Sequence, residues 1–284
     1  MASATTPRLL FFQSLWAMEP SPPGGAAEPL ETILDRIKES GFDGVATHFY
    51  DPATVTPLMA ALAERGLQIE GQVFPQTIDD LKPALELAAR FGCHHLTLQA
   101  DVRPRRVAEA VRLLDGWAGL GREAGIDVNF ETHRNRITND LLFTLDLLDA
   151  LPDLRLTIDL SHYVVAREIY LPISDETEAM IRRVIGQGWA LHGRVATAHQ
   201  VQVPLSFPQH LPYVAQFIDW WALALADWHR RAAPGASLSF LCELGPQPYA
   251  ISGANGQDIS DRWAEALMMR DAVRARWNAI MSST

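Results

Sequence analysis

The chain has 284 residues, 48% apolar and 20% charged, which suits one ordinary globular core in a single domain spanning 1–284. The formal charge of −10, with no basic run, argues against a nucleic-acid partner. No stretch reaches the ~18 apolar residues that cross a bilayer. Met1–Arg8 lacks the charged start and long apolar run of a signal peptide, so a cytoplasmic protein with no membrane partner is expected. Cys93 and Cys242 lie in apolar segments at strands or their edges and are expected as buried free thiols, not as a disulfide or zinc knuckle.

In chain order, Leu9–Trp16 reads as a strand and Leu30–Ser40 as a helix ending at Gly41. Strand Gly44–Phe49 precedes helix Thr54–Arg65, which ends at Gly66. Strand Leu67–Phe74 precedes helix Ile78–Arg90, ending at Gly92. Strand His95–Gln99 precedes helix Arg105–Glu123, ending at Gly125. The second half repeats the pattern: strands Val128–His133, Leu154–Leu160, Ala190–Ala196 and Ser237–Glu243 alternate with helices Asn139–Leu148, Glu176–Gln187, Leu211–Arg231 and Ser260–Met281. The four glycines stand where a left-handed helix cap is wanted.

Eight strand–helix repeats at a spacing of about 30 residues imply parallel strands with helical crossovers. A single (β/α)₈ TIM barrel is expected. The rival, an open doubly wound sheet, would carry a glycine-rich phosphate loop after its first strand. The loop 19–29 has neither G-x-G-x-x-G nor G-K-[ST]. Segments 19–29, 203–212 and 246–256 read as the long loops that build a barrel mouth.

A charged side chain inside an apolar strand is costly unless paired or metal-bound. The last four strands carry such groups at their C-terminal ends: Glu131, Asp159, His192 and Glu243. Alternate residues of a barrel strand face inward, so Asn129 and His133 should share the face of Glu131, and Thr157 and Ser161 that of Asp159. Three carboxylates at one mouth repel one another, and a divalent cation with one imidazole completing the shell resolves this. Oxygen-rich ligation with one nitrogen suits one Mn²⁺, Mg²⁺ or Co²⁺ ion and is compatible with Zn²⁺. Asp159 also suits a helix cap. His48, Trp16, Gln13, Glu70, Gln72 and Gln99 fall near strand ends and could finish a pocket, with Trp16 or Phe49 as an apolar wall; barrel packing is the competing reading for each. Trp220, Trp221 and Trp228 share one helix and suit core packing or a homo-oligomer contact.

At these residues the chain resembles the xylose isomerase-like TIM barrel superfamily, which contains sugar phosphate isomerases and epimerases and AP endonuclease family 2 proteins. The likeness rests on Glu131-Thr132-His133-Arg134 with Ile137-Thr138 and Asp140, on Asp159-Leu160-Ser161-His162 as D-x-x-H, on His192-Gly193-Arg194-Val195 with Gln202-Val203, and on Cys242-Glu243-Leu244-Gly245. It implies Glu131, Asp159, His192 and Glu243 as metal ligands. It implies His162 as a ligand of substrate or of a second metal, and Arg194 as a contact to a substrate oxygen. Glu131 and Glu243 would also move protons on opposite substrate faces, with His133, His48 and Trp16 as further substrate contacts. Many relatives have Gly where this chain has Ala196, and His199, seven residues after His192, competes as the seventh-strand ligand. The zinc-binding histidines expected of the DNA-repair endonucleases on strands two and three are incomplete: His48 is present on strand two and strand three has none.

The resemblance implies a divalent-metal-dependent isomerase or epimerase acting on a small sugar-like hydroxy-carbonyl substrate through an enediolate. A lyase, dehydratase or hydrolase on the same metal is the first alternative, and a non-catalytic sugar-binding barrel the second.

Overall fold

The computed structural model describes residues 6–22 and 24–283. Met1–Thr5, Pro23 and Thr284 lie outside them, so the reading of Met1–Arg8 falls largely beyond the described residues. Eight parallel strands close into a barrel in chain order: β1 (Arg8–Ser14), β2 (Gly44–His48), β3 (Gln68–Val73), β4 (His95–Leu98), β5 (Val128–Glu131), β6 (Leu156–Ile158), β7 (Gly188–Gly193) and β8 (Ser237–Cys242). Pairing of Leu9 with Leu238 and of Phe11 with Phe240 closes the ring. The expected single (β/α)₈ barrel is therefore the fold, and the open sheet is not.

The crossover helices are α1 (Leu30–Glu39), α2 (Pro52–Arg65), α3 (Lys82–Phe91), α4 (Val107–Ala124), α5 (Leu141–Ala150), α6 (Ser161–Ala166), α7 (Asp175–Ile185) and α8 (Leu211–Arg231), and α9 (Arg262–Ser282) follows the last strand. Local chemistry sets their ends. Asp51 and Asp140 accept from backbone N–H groups of the first turns of α2 and α5, as N-cap acids do. Gly41, Gly66, Gly92 and Gly125 all take positive φ; Gly66 and Gly125 are the expected left-handed caps, whereas Gly92, at ψ 132°, is not left-handed helical. Several boundaries differ from the periodicity: β5, β6 and β7 are Val128–Glu131, Leu156–Ile158 and Gly188–Gly193 where Val128–His133, Leu154–Leu160 and Ala190–Ala196 were expected. Ile78–Leu81 is a 3₁₀ turn ahead of α3, and the short α6 follows β6 directly, too brief to leave a periodic signal.

Helices and sheet enclose the main apolar core, with Leu34, Leu62, Leu114 and Leu225 packed against strand residues such as Val45, Ile69 and Phe130. Trp220, Trp221 and Trp228 of α8 are buried in this core. The Trp220 indole donates to Glu178, 2.8 Å away, and Trp221 meets Phe240 edge-on. Phe49, expected as a wall of the site, is fully buried. It packs against Gly71, where a Cβ would lie 2.8 Å from it. Cys93 and Cys242 are free thiols, Cys242 buried and Cys93 half-buried just ahead of β4.

The barrel interior is divided. Leu10, Phe12, Ala46 and Leu241 form a small apolar cluster of their own on the β1, β2 and β8 side. Across from it the inward positions are polar: Glu70 and Gln72 on β3, His95 and Thr97 on β4, Asn129 and Glu131 on β5, Thr157 on β6 and His192 on β7. No described helix is long and apolar enough to cross a membrane.

Candidate metal centre and substrate cavity

Four carboxylates converge above the apolar floor. Glu70 Oε1 lies 2.7 Å from His192 Nε2 and accepts from the Thr97 hydroxyl at 2.7 Å. This leaves the other ring nitrogen, Nδ1, turned to the mouth, 3.0 Å from Glu243 Oε2 and 3.6 Å from Glu131 Oε2. Both Glu131 oxygens, Glu243 Oε2 and His192 Nδ1 are buried and make no hydrogen bond. Buried polar atoms are normally satisfied by hydrogen bonds; here they face one another as close ion pairs instead, an arrangement that could admit a cation. Glu131, His192 and Glu243 each offer one atom within 4.8 Å of the others, a set of donors that could hold a divalent cation. The second contact of His192, to Glu70, is the carboxylate–imidazole support that orients metal-binding histidines.

Asp159 stands one step away. Its Oδ1 accepts from the Ser161 N–H at 2.9 Å and hydroxyl at 2.5 Å at the start of α6, but the N-cap position itself is Leu160, so Asp159 is not the cap that its place in the sequence suggested. Its Oδ2 accepts from Arg194 Nε at 3.2 Å. Arg194 also places Nη2 3.1 Å from Glu243 Oε2, so one guanidinium bridges two of the expected ligand acids. Gln202 accepts from Arg194 Nη1 at 3.0 Å and pairs with both backbone groups of Gly245. His199 lies apart: it is exposed and bonds the Tyr170 hydroxyl at 2.7 Å. The cluster is built on His192.

Burial and charge push the two catalytic candidates in opposite directions. Burial raises Glu131 to about 7, against the pull of His192. Burial also acts upward on Glu243, but Arg194 and His192 outweigh it and hold that carboxyl at about 2. Burial disfavours the charged form of His192, yet Glu70, Glu131 and Glu243 together hold it well above the usual imidazole value.

A cavity of about 210 Å³ opens over the cluster, lined by Trp16, His48, His133, Arg194 and Glu243. Gln72, Phe74, Gln99, Arg136 and Tyr249 complete it. Gln13, in contrast, turns to Ser14 and Met18. β5 ends at Glu131, so His133 reaches the cavity from the loop beyond the strand and not as a strand residue. His162 lies behind it, fully buried, with ring centroids 3.7 Å apart. Glu131, His133 and His162 also bring one atom each within 4.8 Å. Tyr249 and Arg136 sit in loops whose composition reads only as turn chemistry or surface charge, and no sequence signal marked them.

Trp16 depends on a glycine. A Cβ on Gly245 would fall 2.1 Å from its ring, and Tyr249 meets the same ring edge-on at 5.2 Å. Gly245→Ala is expected to displace this wall by about 1 Å and lower catalytic efficiency about tenfold or more. The melting temperature should fall by only about 2–4 °C. Steady-state kinetics beside thermal melting checks this; unchanged kinetics would remove Trp16 from the site.

Comparison with known proteins fits this geometry. A family model described as xylose isomerase-like TIM barrel matches residues 34–187, more than half of the chain. The chain belongs to the xylose isomerase-like TIM barrel family. Solved structures of similar shape include an L-ribulose 3-epimerase, with a TM-score of 0.58 and 14% identity over 96% of both chains. A xylose isomerase-like TIM barrel protein from Mycobacterium smegmatis in complex with magnesium gives 0.64 and 16%, covering 95% of this chain and 97% of that one. A probable 3-DHS dehydratase from Bacillus anthracis gives 0.54 and 14%, covering 96% and 98%. At such identities the likeness is one of fold. No protein of curated function matches the chain in sequence.

Proposed function

We propose that the protein is a divalent-metal-dependent isomerase or epimerase of a small sugar-like hydroxy-carbonyl compound. The observation that carries this is the convergence of unsatisfied atoms of Glu131, His192 and Glu243 beneath a closed-in cavity. These three residues, with Asp159 through the oxygen it shares with Arg194, would hold the metal. Once bound, the metal supplies Lewis-acid polarisation of the substrate carbonyl and its neighbouring hydroxyl.

The chain's own groups do the rest. Glu131 on β5 and Glu243 directly after β8 stand on different walls of the barrel, so a substrate between them can lose a proton to one and regain it from the other. Arg194 fixes Glu243 in place and touches a substrate oxygen from the cavity wall. His133 and His48 bond hydroxyls, while Trp16 and Tyr249 exclude water from one face. Return of the proton to the same carbon gives an epimer; return to the neighbouring carbon gives an isomer.

The test is a screen of the Mn²⁺-reconstituted protein against keto-sugars and sugar acids in D₂O, followed by NMR. An epimer or isomer carrying deuterium beside the carbonyl is the expected product. Loss of water would reassign the enzyme as a dehydratase, and turnover unaffected by chelator would end the metal-dependent reading.

A further inference from the structure

The charge of the mouth is lopsided. Acids gather at the base of the cavity, whereas its β4–β5 rim is cationic in a chain whose formal charge is −10. Asp101 serves two arginines there: Arg103 Nη2 lies 2.6 Å and Arg136 Nη1 3.1 Å from the same Oδ1. Asn135, in the left-handed region at φ 58°, turns the chain between Arg134 and Arg136, and its side chain accepts from Arg103 Nε at 2.7 Å. Arg134 is half-buried and has no carboxylate within 4.0 Å among the described residues. Its neighbours are His162 Nδ1 at 2.8 Å and the Tyr249 ring, 5.2 Å from the guanidinium carbon. Arg194 approaches that ring too, at 4.7 Å. His162 Nε2, on the far side of the imidazole Arg134 holds, is buried 3.5 Å from Asp159 Oδ2 and makes no closer hydrogen bond.

A guanidinium drawn partly out of water, beside other cations and with no acid of its own, is stabilised by an anion. Arg136 lines the cavity and Tyr249, beside Arg134, lines it too. We propose that the substrate carries an oxyanion, a carboxylate or a phosphate ester, held by Arg134 and Arg136 while its hydroxy-carbonyl end lies over Glu131 and Glu243. The planar fork of Arg134 suits two oxygens of one such group. The cavity of about 210 Å³, below the ~300–1,000 Å³ common for ligand sites, keeps this substrate small. The inference rests on the function proposed above and narrows its substrate class to anionic sugars.

Three matched probes test it: erythritol, erythronate and erythritol 4-phosphate, titrated calorimetrically into the full chain with Mn²⁺ present. One of the two anions is expected to bind about tenfold or more tighter than erythritol, as a charged hydrogen-bond pair gives. Arg134→Gln should shrink that gap below about threefold, and Arg134→Lys should keep most of it. Preference for erythronate names a sugar acid, and preference for the phosphate names a sugar phosphate. Equal binding of all three probes, or a gap that Arg134→Gln leaves intact, overturns the proposal. Mn²⁺ uptake is measured separately without probe. A chain that takes up no Mn²⁺ refutes the metal-dependent function, while the anion preference of the metal-free chain still decides this inference.

Discussion

Glu243→Gln is expected to weaken divalent-metal binding by about 100-fold or more and to lower turnover by about 1,000-fold, with the fold retained. Loss of an outer partner of a metal ligand alone costs about 10–100-fold in affinity, and Glu243 offers its own oxygen to the cluster. The same change removes one of the two acids bridged by Arg194. The guanidinium keeps Asp159 and Gln202, so the stability cost should stay near 1–3 kcal/mol, short of the ~3–5 kcal/mol of a fully broken buried pair. Metal content by mass spectrometry, turnover and thermal melting check the three parts. Full metal occupancy in the variant would place the site elsewhere.

Glu131→Gln should make the metal-free protein more stable than the wild type and the metal-loaded protein less stable than the wild type. In the folded metal-free chain Glu131 titrates at about 7, against an ordinary value of 4.5. Below 4.5 the carboxyl is protonated in folded and unfolded chains alike and pH has no effect through this group. Between 4.5 and 7 the unfolded chain ionises first, so stability falls as pH rises; above 7 the penalty is constant. A raised carboxyl value of this size corresponds to about 3 kcal/mol. The amide carries no such penalty, so at pH 8 with chelator the variant should melt higher than the wild type. With Mn²⁺ the order should reverse, because only the ionised carboxylate supplies a ligand. Melting curves at pH 5 and pH 8, with chelator and with Mn²⁺, decide it. A variant that melts lower than wild type in chelator at pH 8 would contradict the burial that raises the Glu131 carboxyl.

The barrel and most of its cluster were legible because burying a charge is so costly that an acid in an apolar strand announces a partner. Glu243 after Phe240-Leu241-Cys242 is such a case, and Glu131 and Asp159 share its logic. What was hidden depends on closure of the ring. Arg194 reads as a substrate contact in sequence, yet it bridges Asp159 and Glu243, because β7 stands between β6 and β8. Glu70 falls at an inward position of β3, but only closure brings it to His192, 122 residues on. Choosing His192 over His199 turned on burial within the strand, the quantity periodicity reports best. Phe49 failed as a wall because it lies on the outward face of β2's end, against Gly71. Tyr249 and Arg134 act from loops, where no period constrains which way a side chain turns.

Anomalous diffraction from crystals soaked in Mn²⁺ tests the central claim most directly, since it locates the cation without reference to any substrate. One strong peak is expected among Glu131, His192 and Glu243, with Asp159 within ligand distance and His192 still bonded to Glu70. No peak at that point at millimolar Mn²⁺, or peaks only at exposed surface acids, would contradict a metal-dependent enzyme.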